Sequence, residues 1–194
     1  VQELGQPDMI FLPGSKNTMG DLCWMRQNGL ETAVKKLAVH IPVWGICGGY
    51  QMLGRTISDP HGVENENSLC EPLRGMELID TDTTLMPEKM RTQTRGKFEN
   101  VTGIFSTLSG LEFSGYEIHM GKTTVSTGEH QTPLVQLADG RTDGVQRMEK
   151  GSEAPGVYGS YVHGIFDDGD IAVRIVQALA DKKKVSWKPE AGGG

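Results

Sequence analysis

Ile41-Pro42-Val43-Trp44-Gly45-Ile46-Cys47-Gly48-Gly49-Tyr50-Gln51-Met52-Leu53-Gly54 decides how this chain is read. An apolar strand pattern passes through Gly-x-Cys-Gly-Gly into a helical pattern with no linker between them. A residue on so sharp a strand-to-helix turn needs small neighbours, because the backbone is strained and the helix packs close. Gly45, Gly48 and Gly49 supply them, which places Cys47 as a catalytic thiol. The positive end of the following helix points at the sulfur and favours thiolate. Without such a frame a cysteine reads as a small buried hydrophobe.

Upstream, Met9 to Leu12 lie between Pro7-Asp8 and the turn Pro13-Gly14-Ser15, the pattern of a strand buried on both faces. Leu30, Ala33, Val34, Leu37 and Ala38 share one face of a helix over 30–39. Strand, helix, strand, turn, helix is the rhythm of an α/β domain with a mostly parallel sheet covered by helices on both faces. Further on, strands are expected at 75–79, 103–106, 115–120, 134–137 and 157–162, and the polar stretches 58–74 and 87–97 read as surface connections. Asp170 is placed to cap a helix carrying Ile171, Ile175, Ala178 and Leu179. Residues 1–185 read as one domain and 186–194, ending Gly192-Gly193-Gly194, as a flexible tail.

The chain has 194 residues, 37% hydrophobic, enough for one α/β domain with a substantial core. Its net charge of −6 argues against a nucleic-acid or anionic-membrane partner. Lys182-Lys183-Lys184 reads as the solvated end of a helix. Cys23, Cys47 and Cys70 are odd in number and contain no Cys-x-x-Cys, so neither a disulfide framework nor a metal site is suggested, and a reducing cytoplasm fits. No apolar run has the length of a membrane span. The opening on Val1 suggests a piece of a longer protein.

A thiol nucleophile needs a base. His163, in Tyr161-Val162-His163-Gly164, ends an apolar run at the sheet edge where α/β proteins gather reactive groups. His119 is its rival, with Glu117 two residues away on the same strand face; the plainer alternative makes both the polar face of a half-exposed strand. His40, His61 and His130 read as solvated. Gln51, four residues past Cys47, projects from the same helix face and could meet a polar substrate, or simply solvent. Leu12-Pro13-Gly14-Ser15-Lys16-Asn17-Thr18 lacks the order of a phosphate loop. Its glycine turn could instead offer one backbone amide of an oxyanion hole, with Gly48 offering the other, or be a plain turn.

Together Gly45-x-Cys47-x-Gly49-x-Gln51, the Pro13-Gly14 turn and the histidine at a strand end resemble the class I, or triad, glutamine amidotransferases. Three stretches, residues 12–18, 115–121 and 158–167, resemble the branch that forms the C-terminal glutaminase domain of cobyric acid synthases. The resemblance implies a flavodoxin-like α/β fold of the class I type. It also implies Cys47 as nucleophile on glutamine, His163 as proton shuttle, Gln51 as a glutamine contact, and Gly14 and Gly48 as oxyanion donors. It implies no cofactor or metal in this domain, and a fused synthetase domain of the same polypeptide that uses ATP and magnesium to amidate a corrinoid acceptor bound elsewhere. The family's domain begins one strand earlier than Val1. Most class I members carry Glu two residues after the histidine; here that position is Ile165, so no third catalytic group is assigned. A related glutaminase acting on a lipid-linked peptidoglycan precursor, a non-catalytic docking module, and a cysteine peptidase on a similar scaffold are the alternatives.

Overall fold

A computed structural model describes residues 4–64, 71–126, 130–148 and 155–189. Cys70, Gly192-Gly193-Gly194 and part of the 58–74 connection lie outside the described residues.

The elements run β1 (Ile10–Leu12), α1 (Thr18–Gln27), α2 (Leu30–Leu37), β2 (Val43–Ile46), α3 (Gly48–Leu53), β3 (Thr56–Ser58), β4 (Leu73–Arg74), β5 (Thr81–Phe98), a 3₁₀ segment (Gly103–Leu108), β6 (Glu112–Val125), β7 (Gln131–Leu137), β8 (Thr142–Arg147), β9 (Val157–Ser160), β10 (Val162–His163) and α4 (Gly169–Lys183). The described strands form one mixed sheet in the order β1-β2-β9-β8-β7-β5-β3-β4, with β6 pairing β5 and β10. The α/β architecture expected from the strand–helix rhythm is present. Its parallel part, β1-β2-β9 and β3-β5, is joined by antiparallel strands.

Parallel register sets the position of the site. Leu12 pairs Gly45, and Gly45 pairs Gly159, so β1, β2 and β9 end at one level. The Pro13-Gly14 turn, Cys47 and the segment leading to His163 all leave that edge, where α/β sheets open towards ligands. Glycine at 45 and 49 is required by close approach. A Cβ on Gly49 would lie 2.0 Å from the Leu12 carbonyl oxygen, and one on Gly45 2.6 Å from the Gly49 carbonyl. Trp44 is fully buried, its ring 5.0 Å from that of Tyr158 and flanked by Phe98 and Phe105, which locks β2 to β9.

Several expectations are corrected. β1 is not buried on both faces: Phe11 is 46% exposed, between buried Ile10 and Leu12. Residues 75–79 form no strand, because the amides of Met76, Glu77, Leu78 and Ile79 donate to Met52, Gly54 and Leu53 carbonyls. They satisfy the open carboxyl end of α3. Residues 103–106 belong to the 3₁₀ segment, whose buried Phe105 and Leu108 stand three apart rather than two. The charged stretch 87–97 is strand, half of a long ribbon with β6 that is wet over residues 87–93 and so needs no apolar alternation. Helix α1 and strand β8 were not anticipated. Asp170 does not cap α4. The N-cap position is Asp168, and its carboxylate accepts from the Ser114 amide across the chain instead. Lys182 and Lys183 are not simply solvated at the helix end: Lys183 pairs with Asp8 and Lys182 donates to the His40 carbonyl.

Candidate active site

Cys47 stands between β2 and α3 with φ 52° and ψ −109°, a backbone conformation non-glycine residues avoid. Two bonds hold it there: its amide donates to the Ser160 carbonyl at 2.9 Å, and its carbonyl accepts from the Gln51 amide at 3.0 Å. The Gly49 amide donates to the Pro13 carbonyl at 3.1 Å, tying the turn after β1 to the turn after β2. The thiol faces a cavity of about 510 Å³ and its Sγ lies 3.4 Å from the Ile118 carbonyl oxygen.

His163 lines the same cavity, but it arrives differently from the expected parallel strand end. The run 157–162 breaks at Tyr161. β9 stays parallel with β2, and β10 turns to pair antiparallel with β6, His163 opposite Tyr116. Buried Asp143 makes the bend. Its carboxylate accepts from the Ser160 hydroxyl at 2.6 Å and the Tyr161 amide at 2.9 Å, and the Ser160 hydroxyl in turn accepts from the Val162 amide at 3.0 Å. The imidazole lies flat on Tyr116, centroids 5.2 Å apart and 4° from parallel. Its Nε2 is buried with no hydrogen-bond partner among the described residues. Gly14 is the spacer between the two groups: a Cβ there would stand 3.0 Å from His163 Cε1 and 3.6 Å from Cys47 Cβ. A side chain there would crowd the His163 ring.

Burial governs the protonation states. It pushes the Cys47 thiol up to about 11, with the Gly48 amide pulling the other way. The expected thiolate is therefore not the resting form; desolvation outweighs one amide at the start of a six-residue helix. Burial also lowers the pKa of His163, with the Ile118 carbonyl opposing, which keeps the ring neutral and able to accept a proton.

Gln51 lines the cavity but is not loose. Its Oε1 accepts from the Thr18 hydroxyl at 3.1 Å and its Nε2 donates to the Tyr161 hydroxyl at 3.2 Å, which stands 2.5 Å from Thr123 Oγ1. Glu117 and His119 do share a strand face, and it is no half-exposed polar face. Glu117 is 1% exposed and bonded to Arg141 at 2.8 Å. The His119 ring and, at shorter range, the Arg141 guanidinium hold its carboxyl at about 2 against the cost of burial. His119 stacks on Tyr161 at 3.7 Å and binds the Gly121 carbonyl through Nδ1. Ile165 is fully buried in the core and offers no orienting carboxylate; the Tyr116 face and the Ile118 carbonyl flank the His163 ring instead. His40, His61 and His130 are exposed.

Sequence reasoning missed Tyr161, Asp143 and the Ile118 carbonyl. Only Asp143 carried a signal, as an acid inside a short β-branched and glycine-bearing stretch.

A strand, a strained turn and a helix at the carboxyl edge of the parallel strands of this mixed sheet are the architecture of the class I glutamine amidotransferase fold. Residues 1–171 match the CobB/CobQ-like glutamine amidotransferase domain, and the chain belongs to that family. It is 48% identical over 194 residues to a cobyric acid synthase of Ruminiclostridium cellulolyticum, covering 97% of this chain and 36% of that protein. It is 38% identical over 197 residues to one of Moorella thermoacetica, covering 97% and 36%. The chain thus spans little more than a third of the length of these relatives. A crystal structure of a glutamine amidotransferase superimposes with a TM-score of 0.58 at 14% identity, covering 95% of this chain and 83% of the other. PurLQS from Thermotoga maritima gives 0.53 at 14% identity, covering 91% and 80%. At that identity the likeness is one of fold.

Proposed function

We propose that this chain is the glutaminase part of a cobyric acid synthase, releasing ammonia from glutamine through a Cys47 thioester. The observation that carries the reading is the cavity lined by both Cys47, on its strained turn, and His163, whose Nε2 has no hydrogen-bond partner among the described residues, with Gly14 between them. The neutral Nε2 accepts the thiol proton as Sγ attacks the amide carbon, and the Gly14 and Gly48 amides receive the oxyanion. His163 then hands its proton to the departing nitrogen, which leaves as ammonia. Water, deprotonated by the same ring, cleaves the thioester and glutamate departs.

The ammonia serves a fused synthetase domain that amidates corrinoid carboxylates with ATP and magnesium. The length of the relatives supports such a domain and their name supports the product. In the full-length protein, Cys47→Ala should abolish glutamine-dependent amidation and spare amidation from free ammonia. Undiminished turnover on glutamine in that variant would refute the assignment.

A further inference from the structure

The catalytic cavity holds two opposite charges that the hydrolytic steps do not use. Glu64 stands on one wall, its Oε2 accepting from the Met19 amide at 2.8 Å, which fixes the carboxylate at the start of α1 and leaves Oε1 for another donor. Lys89 stands on another wall, carried by the interruption of the β5–β6 ladder. Leu85 pairs Gly121 and the next pair is Met90 with His119, so the residues between leave the register. Among the described residues neither Glu64 nor Lys89 makes an ion pair. Both fields reach the Cys47 thiol, Glu64 raising its pKa and Lys89 lowering it.

An amino acid whose side-chain amide is seated at Cys47 places an ammonium and a carboxylate on one carbon a few bonds away. A site that presents a carboxylate anchored at the start of α1 and an ammonium carried by the interrupted strand around the nucleophile is complementary to that zwitterion. It rejects an amide whose α-groups are capped, because each capped group leaves a site charge unanswered. Lys16 also lines the cavity, on the turn after β1, and is the rival cation.

We propose that Glu64 binds the α-ammonium and Lys89 the α-carboxylate of the substrate, so that the site selects free glutamine over glutaminyl peptides. This rests on the glutaminase reading above. The test uses the full-length protein and initial rates of ammonia release from glutamine, from its α-amide, which lacks the carboxylate, and from N-acetylglutamine, which lacks the ammonium.

The parent should favour glutamine over each analogue by about 10- to 100-fold in kcat/KM, and Lys89→Met should lose about that factor on glutamine while leaving the α-amide unchanged. Glu64→Gln, which can still accept from the Met19 amide, should lose a similar factor on glutamine and nothing on N-acetylglutamine. Equal losses on all three substrates, or none on glutamine, would overturn the inference and leave the glutaminase reading intact. So would a carboxylate-selective loss in Lys16→Met but not in Lys89→Met. A parent that amidates from free ammonia but releases none from glutamine would overturn the glutaminase reading itself.

Discussion

The two halves of the catalytic pair are held by opposite means. Cys47 is framed mostly by neighbours in sequence: Gly45, Gly48 and Gly49 admit the turn and Gln51 closes the first helical bond onto its carbonyl, while its amide makes one distant bond, to the Ser160 carbonyl. His163 is fixed by residues far along the chain: Asp143 on β8 bends the strand, Tyr116 on β6 pairs with it and stacks on its ring, and Ile118 offers a carbonyl. A nucleophile made locally tolerates change elsewhere, whereas a base made by distant strands is exposed to every one of them.

The strongest test of that contrast is at the base itself. His163→Asn should lower the rate of glutamine hydrolysis by about 10²–10⁴-fold with the melting temperature nearly unchanged. In the parent, kcat/KM should hold as pH falls until it drops through a value below that of a free imidazole, because burial lowers this group and the neutral ring is the working form. An acid limb at 6.5 or above would show that the ring is not desolvated.

Next comes the bend. Asp143→Ala leaves the Tyr161 amide and the Ser160 hydroxyl without their acceptor in a buried place, a cost of about 1–3 kcal/mol in denaturant unfolding. Turnover should fall at least about tenfold, since a small misplacement of a catalytic group is expensive. Turnover within twofold of the parent would mean that His163 does not depend on that bend.

Smallest is the support beneath β6. The Glu117 carboxyl, held at about 2, has a folded pKa below its unfolded value of 4.5. Its stabilisation is therefore complete above pH 4.5 and is lost as pH falls towards 2. Acid unfolding of Glu117→Gln should lack roughly 1–3 kcal/mol of that dependence, seen as a flatter plot of stability against pH between 5 and 2. An unchanged slope would detach the Glu117–Arg141 pair from the stability of the wall that faces His163.

The same division explains how much could be read beforehand. β1, α2, β2 and the Cys47 turn were legible because spacing and glycine content are local properties of the chain. The parallel pairing of β1 and β2 followed from them. The bend at Tyr161 was invisible, since Val157 to Val162 is a single apolar run and the acid that breaks it lies elsewhere in the sequence. Segment 75–79 was misread because its apolar residues serve the end of α3 rather than a ladder, and 87–97 because a ribbon wet over much of its length shows no alternation. Gln51 was placed correctly at the site, but its anchoring to Thr18 and Tyr161 needed three dimensions.

The left-handed backbone at Cys47 sets durability against activity at one residue. Ordinarily glycine makes a chain less stable than alanine, by about 0.5–1 kcal/mol. At φ 52° the order should invert, because alanine keeps a strain worth about 1–3 kcal/mol that glycine releases. Of two equally dead proteins, Cys47→Gly should melt above Cys47→Ala, and the gap between them measures how far the living site stands from the fold's own optimum.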